Sequence, residues 1–574
     1  MVMQMLNAHS RNGRWQIIML LILAAGCYSL SLDAPFYLDD YSSVLFNPAI
    51  QQGLDWSILL REQGARIVTY ASFALTYQIN GGNSTLPYHV FNLLLHLAAS
   101  LVFWRLSYLI LKQAGTRNAN WVALVAVALF ALHPLQSQAV IYIAQRATGL
   151  VALFYLTGMA AYLEARIHGR KYWYLIALIA AVAAAFSKQN AATLPFALLL
   201  LELLVLPNKP ATKKVLALVG AVTVMAGLAA MVMIPEVSDK LRETKEISRS
   251  DYLTTQMQVL WIYFGKFVWP MNLRLEYDTA LVTSWLNVAT ILALLGHFIM
   301  LGIAWLSRKS HAAIGFGIIF YYLAHSIESS IFPISDLVFE HRTYLPNAGL
   351  AIACVAAGDS LAMRWQGEKT LRLIAWVLIA LLVALTAKRN LEWRDPLAFH
   401  QKNAELAPAS YRPWLALNSE YLKRGDLEQA EASIDRALYN YRQMEKNDQA
   451  FNSDLFHNWI FTLMRAGKYA ELIVQVNRAE PQFAGMNPYL LSNIYAMRGR
   501  AQAALGKLPQ AETDLKKAVE INVKNAAAWT NLGTVNAMTG RYLDAKTCYE
   551  KALNIDPNQL DAQANLEKLQ ALLY

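Results

Sequence analysis

Two adjacent carboxylates, Asp39 and Asp40, stand in the run Phe36-Tyr37-Leu38-Asp39-Asp40-Tyr41 of a 574-residue chain. They follow directly on an apolar stretch of membrane-spanning length. Ionised groups beside lipid are costly, and those retained there tend to face a cavity or a substrate. A carboxylate within hydrogen-bonding reach of a hydroxyl can take its proton in a transition state. Two side by side raise one another's pKa and act as a pair. The plainer reading is a solvated loop or a helix cap. Four basic residues on four other motifs, Arg66, Arg146, Lys188 and Arg342, are expected on the same side of the membrane. Fixed cations there suit an anionic group, and arginine suits phosphate well. The plainer reading of each is a side chain reaching for lipid headgroups. Of the histidines, His133 precedes a proline at a helix end and is a site candidate. His89 and His96 read as packing between helices. No His/Asp cluster has a firm metal spacing. Asp39 and Asp40 are the candidates for holding a divalent cation, magnesium or manganese, if one is bound.

The elements that must hold these residues are helices in a membrane. The chain is 56% hydrophobic and 16% charged, against about 25% charged in a soluble protein. Residues 1–400 carry 30 basic and 21 acidic side chains; residues 401–574 carry 20 and 19. The first part is charge-poor and basic, and the second resembles a soluble domain. The net charge of +10 does not indicate nucleic-acid binding, because the basic residues lie in short clusters between apolar runs. Cys27, Cys354 and Cys548 are too scattered for a metal site or a disulfide framework. Apolar runs of spanning length cover Trp15–Leu32 and about 88–111, 119–138, 139–163, 172–187, 191–206, 215–234, 252–269, 285–306, 312–331, 344–363 and 371–387. The first reads as an uncleaved span rather than a signal peptide. Basic clusters at Arg11/Arg14, Lys112/Arg117, Arg166/Arg170/Lys171, Lys209/Lys213/Lys214, Arg308/Lys309 and Arg364/Lys369/Arg372 should all be cytoplasmic. They are so only if 252–269, the most polar run, does not cross. The expectation is eleven crossings, with 252–269 re-entrant or interfacial, a cytoplasmic N-terminus and a tail outside. Val237–Ser250 reads as an amphipathic helix on the outer surface. Asn83-Ser84-Thr85 is a glycosylation sequon.

The tail repeats itself. Leu505-Gly506, Ala511, Leu515 and Ala518 return 34 residues later as Thr539-Gly540, Ala545, Tyr549 and Ala552. An earlier copy has Trp414, Leu417, Tyr421, Gly425, Ala430, Ile434 and Ala437, and a weaker one surrounds Gly467. A 34-residue period with small residues at helix contacts is the tetratricopeptide pattern. The division expected is a membrane domain over 1–390, with its first outer loop at 33–86, a linker at 391–402, and three to four repeats plus a capping helix over 403–574. The fold class is all-α throughout.

Further motifs fall in order along the chain: Asn47-Pro48, Arg66-Ile67-Val68-Thr69, Tyr88-His89 to His96, His133-Pro134-Leu135-Gln136-Ser137-Gln138, Gln145-Arg146-Ala147, Ser187-Lys188-Gln189-Asn190, His341-Arg342-Thr343-Tyr344-Leu345-Pro346-Asn347 and Asn390-Leu391-Glu392-Trp393. With the repeats behind them, they resemble the transmembrane-and-tetratricopeptide protein O-mannosyltransferases and their bacterial relatives. Those belong to the GT-C class, which uses polyprenyl-phosphate sugars. The resemblance covers nearly the whole chain. The chain departs from the family pattern at Gln138 and Gln189, where acids are usual, and at Gln136, where a second His is usual.

The resemblance implies a glycosyltransferase with a GT-C membrane fold and an inverting outcome. Asp39 would be the base, and Asp40 its neighbour, orienter or metal ligand. Arg66, Arg146, Lys188 and Arg342 would hold the donor phosphate. His133, His341, Glu340 and Tyr344 are further site candidates. The expected partners are a polyprenyl-phosphate-linked sugar, membrane lipids and an exported protein whose Ser/Thr hydroxyl is modified while the repeats hold it. The expected location is a bacterial inner membrane with the repeats in the periplasm. The rivals are a non-catalytic membrane-anchored repeat adaptor, a GT-C enzyme acting on a lipid or glycan, and a glycan polymerase or ligase.

Overall fold

The computed structural model describes residues 11–82, 84–206, 247–444 and 451–573, with single positions 214, 217 and 244. The expected span 215–234, most of Val237–Ser250, Lys209, Lys213 and Asn83 lie outside the described residues. Every regular element among the described residues is helical. The chain divides into two compact units, 1–399 and 400–574.

In the first unit each described apolar run is a helix. Among the described residues four helices are long and apolar enough to cross a membrane: Leu86–Gln113, Ile143–His168, Val288–Ser307 and Glu368–Glu392. A bent pair, Ala119–Ala131 with Pro134–Ile141, makes a fifth if it is one span; Gly13–Ser29, Tyr172–Ala185, Gln189–Val205 and Ala312–His325 are apolar but shorter. The bend is 49° and falls at Pro134, which lacks the N–H a continuous helix would use. The expected run 139–163 starts later as a continuous helix. Residues 134–145 fold into short turns, and the long α-helix begins at Arg146. The two long helices near the chain's start are mostly buried, whereas Val288–Ser307 and Glu368–Glu392 turn most of their apolar surface outward. Leu292, Phe298, Trp305, Leu373 and Val377 are exposed there. Bare apolar area on that scale suits lipid, where a helix also satisfies its own backbone.

The helices share two ends. At one, Arg117 of the loop before Ala119 pairs with Glu368 at the start of the last helix. At the other, Asn390 Nδ2 donates to Cys27 O at 2.9 Å, Tyr37 Oη donates to Trp393 O at 2.6 Å, and Arg394 pairs with Asp33. The first and last helices therefore run in the same direction. The helix Arg249–Val268 behaves differently from its neighbours. Its Tyr252 hydroxyl donates to Glu328 O, its Gln256 amide to Leu337 O, its Tyr263 hydroxyl accepts from Phe339 N, and its Phe267 O faces His133 Nε2. Its middle also bonds Val288–Ser307, through Gln258 to Thr290, Trp261 to Ala293 O and Met257 O to His297.

Among its described residues the second unit holds most of the helix Pro396–Leu406, which begins inside the expected linker, then four helix pairs and a last helix: Arg412–Arg424 with Leu427–Met444, Ser453–Arg465 with Tyr469–Ala479, Pro488–Ala504 with Leu508–Ile521, Ala526–Met538 with Tyr542–Ile555, then Leu560–Leu573. The turn inside each pair carries a glycine at φ between 71° and 78°, namely Gly425, Gly467, Gly506 and Gly540. Only glycine adopts that conformation without steric cost. Ala430, Ala511, Ala518, Ala545 and Ala552 are fully buried where helices meet.

Candidate active site

The segment 33–86, expected as a loop, is largely helical. Asn47 caps Pro48–Gln51, Asp55 caps Trp56–Gln63, and Ile67–Asn80 follows. Before these, Leu38 takes the left-handed φ of 34°, which costs energy outside glycine. A π-turn, Tyr41–Leu45, begins right after Asp40. This tight geometry sends the two carboxylates in opposite directions. Asp39 is exposed, and its backbone N–H donates to Tyr142 Oη at 2.9 Å. Asp40 is fully buried. Its Oδ2 accepts from Tyr37 N at 3.0 Å and its Oδ1 from Ala144 N at 2.6 Å. Burial pushes its carboxyl up to about 8, against those two N–H bonds and with a smaller push from the charge of Asp39. Asp40 thus ties the first loop to the segment ahead of Arg146. Each of its oxygens accepts one backbone N–H. Among the described residues no three His, Cys, Asp or Glu side chains are placed to hold a metal.

Three of the four predicted cations come together. Val68 N donates to Phe186 O at 3.1 Å and Thr69 Oγ1 to Ser187 O at 3.0 Å, which sets Arg66 beside the 188–190 turn. Arg66 Nη2 donates to Gln189 Oε1 at 3.0 Å. Lys188 is buried, with its Nζ 2.7 Å from Glu328 Oε1 and 3.1 Å from Thr148 Oγ1. Arg342 and His341 lie within electrostatic reach of the same Glu328. Ala144, which holds Asp40, and Thr148, which holds Lys188, are four residues or about 6 Å apart along one helix start. The acidic loop and the cation cluster therefore flank the same turn. A cavity of about 690 Å³ opens on this cluster; its polar lining is Arg66, Lys188 and Gln189, and its walls are apolar, with Ala181, Ala185, Leu194 and Leu198 among them.

Arg146 does not join the cluster. Its Nε donates to Asn92 Oδ1 at 2.8 Å, Nη1 to Ser72 O and Thr76 Oγ1, and Nη2 to Tyr88 O. Its guanidinium carbon lies 4.4 Å from the centroids of both Phe73 and Phe91. With every nitrogen committed and a ring on each side, it ties helices together. His133 is engaged in a similar way, accepting from Leu135 N and meeting Phe267 O at 2.9 Å. Tyr344 Oη bonds His96 Nδ1 at 2.7 Å deep in the core. Glu340 accepts from Arg274 N at 2.6 Å and Tyr277 Oη at 2.8 Å, and burial raises its carboxyl against the nearby Arg389. His341 sits in the cluster, its N–H donating to Gln138 Oε1 at 2.7 Å. Two of the three family departures have structural partners: Gln138 accepts from the backbone N–H of His341 and Gln189 holds Arg66, whereas the buried amide of Gln136 has none among the described residues. Sequence reasoning missed Glu328. The signal was available, since it is the one acid in the apolar run 312–331 and intramembrane acids mark function.

Tetratricopeptide repeat models match residues 492–525 and 526–559. The protein O-mannosyl-transferase F38B6.6 of Caenorhabditis elegans is 24% identical over 69% of this chain and 58% of its own length. The human protein O-mannosyl-transferase TMTC4 is 26% identical over 31% of this chain and 28% of its own. The Drosophila melanogaster protein O-mannosyl-transferase Tmtc2 is 29% identical over 29% and 18%. The chain spans less than two thirds of the length of these relatives. With repeats at its end, the chain is similar to these TMTC-like protein O-mannosyl-transferases.

Proposed function

We propose that this chain is a GT-C-type membrane glycosyltransferase that moves a sugar from a polyprenyl phosphate to a Ser/Thr hydroxyl of an exported protein. The observation that carries this reading is the cavity with Arg66 and Lys188 on its polar side and apolar side chains elsewhere. A phosphate on a hydrocarbon chain needs both. Charge-assisted bonds hold the phosphate, and apolar walls receive the chain. Asp39, exposed and without the backbone bonds that occupy Asp40, is the base. The acceptor oxygen attacks the anomeric carbon, Asp39 takes its proton, the bond from that carbon to the phosphate oxygen breaks, and the lipid phosphate leaves among the cations. Preorganised positive charge stabilises that leaving group. Base and leaving group on opposite faces of the sugar give inversion.

The repeats hold the acceptor polypeptide, as solenoids of this kind do along a concave surface. The relatives' names make mannose the first sugar to test. The same reading places the chain in a bacterial inner membrane with the repeats in the periplasm. The test is transfer from a polyprenyl-phosphate sugar to acceptor protein by purified wild type, Asp39→Asn and a 403–574 deletion. Loss of transfer in Asp39→Asn supports the reading. Full transfer by Asp39→Asn removes the base, and a silent Asp39→Asn with an inactive deletion favours a non-catalytic adaptor.

A further inference from the structure

Glu328 has no role in the reaction as described, yet it sits at the centre of the cation cluster. It follows the helix Ala312–His325 and is buried. Oε1 meets Lys188 Nζ at 2.7 Å, and Oε2 accepts from Asn190 Nδ2 at 2.9 Å. Lys188 also lines the cavity with Arg66. One ammonium therefore faces an internal carboxylate and a cavity suited to an external anion. Around the carboxylate, several buried polar atoms find no hydrogen-bond partner among the described residues: Asn190 Oδ1, Ser329 Oγ, His341 Nδ1 and both ring nitrogens of His325. Buried polar groups are nearly always satisfied, so a concentration of orphans calls for an explanation. A chamber that holds two alternative anion arrangements supplies one. The arrangement seen satisfies the cations through Glu328 and leaves neighbours unpaired, and a second would use them.

We propose that Glu328 is a positioning residue that acts as an internal counter-anion, holding Lys188 at the cavity until the donor's phosphate takes its place. The proposal rests on the donor reading given above. Lys188 and Arg342 are buried and would be costly without an anion beside them, and removing one partner of a buried pair strands the other charge. Glu328 lowers that cost in the empty protein. The lipid phosphate then exchanges for the carboxylate at Lys188, so its binding is weaker than the cations alone would give. Such weakening suits a site that must also release a lipid phosphate after transfer.

The test uses full-length protein in detergent, wild type and Glu328→Gln, melted with polyprenyl phosphate, with neutral polyprenol and with inorganic phosphate. The variant is expected to melt lower than wild type without lipid. Polyprenyl phosphate should then raise its Tm by more than it raises that of wild type, with half-saturation at roughly tenfold lower concentration. A merely structural Glu328 would leave the variant's deficit uncorrected by the lipid, which overturns the exchange. Equal recovery with polyprenol, or with inorganic phosphate, also overturns it, since the first needs no phosphate and the second no lipid. If Glu328→Gln does not fold, Glu328→Asp decides. Its shorter arm keeps the charge but loosens the ion pair, so tighter binding of polyprenyl phosphate supports the proposal and equal or weaker binding refutes it. If wild type binds no polyprenyl phosphate at all, the donor reading fails and takes the exchange with it; binding without the Glu328 effect removes the exchange alone.

Discussion

Asp39 and Asp40 are chemically identical neighbours with opposite environments, and the difference is measurable. Asp40 carries a carboxyl raised from 3.8 to about 8, mainly by burial. The folded protein therefore keeps a proton that the unfolded chain gives up near pH 4. Stability falls as pH rises from about 4 to about 8 and is flat beyond, as far as this group is concerned. Asp40→Asn should remove that component, so the difference in Tm between wild type and variant changes across this window. The amide also turns an N–H₂ toward one of two backbone donors, which costs about 1–3 kcal/mol. Asp39→Asn should leave Tm near that of wild type while lowering transfer about a hundredfold or more. Equal destabilisation by both variants would refute the division of labour. The two arginines divide in the same way. Arg146→Ala strands several buried acceptors and should cost about 2–4 kcal/mol, seen as a lower Tm. Arg66→Ala, at an exposed residue, should keep the Tm and weaken donor binding. The residue types and their order along the chain were legible in the sequence. Which acid faces out was not, because that depends on the φ of Leu38 and on the N–H of Ala144 a hundred residues away. Nor was the capture of Arg146, whose partners come from two other helices.

At the scale of elements, one helix crossing controls the cation cluster. Ala312–His325 leads into Glu328, and Pro346–Arg364 follows directly on Arg342. The two helices touch through Gly317 and Gly349, backbone against backbone. A Cβ on Gly349 would lie 2.5 Å from Gly317 O, closer than real Cβ contacts come, and a tight 3.0 Å from Tyr321 N. Close approach through small residues is the common device for packing helices in lipid. Gly349→Ala should therefore lower the Tm, although alanine is ordinarily the better helix former by about 1 kcal/mol. It should also impair donor binding by shifting Arg342 relative to Glu328. Gly302, in Val288–Ser307, supplies the control: a Cβ there meets nothing within 4 Å, so Gly302→Ala should be neutral or stabilising. A Tm for Gly349→Ala at or above that of Gly302→Ala would show that this contact does not set the crossing. The helices themselves were legible from apolar runs, and the repeat pairs from their period. The folding of 33–86 into short helices was not, because caps such as Asn47 and Asp55 act on stretches too short and mixed to show a period.

For the whole molecule, the arrangement of ends bears on where the repeats lie. Basic clusters gather at the ends of helices away from the site: Arg166 closes the helix that Arg146 begins, and Arg364 closes the one that follows Arg342. The pair Arg117–Glu368 joins two of these basic loops. The first helix begins with Arg11 and Arg14 and ends near Asn390, while the last begins at Glu368 and ends beside Asp33. A chain that enters at the basic end and leaves at the site end has crossed an odd number of times. The helix Arg249–Val268 bonds groups at the site end through Tyr252 and Phe267. It carries Gln256 and Gln258, which bond Leu337 O and Thr290 Oγ1 at 2.9 Å each, and such polar residues are tolerated at an interface more readily than in mid-membrane. Basic loops stay in the cytoplasm, so residue 393 and everything after it should lie outside. Reporter fusions read this directly. A phosphatase that works only outside the cytoplasm should be active when fused after Tyr574 or in the 270–285 segment, and silent when fused at Arg308. A cytoplasm-only reporter should give the reverse at all three sites. Activity of the cytoplasmic reporter after Tyr574 would make the number of crossings even and would put the repeats on the opposite side from Asp39, where they could not present an acceptor to it.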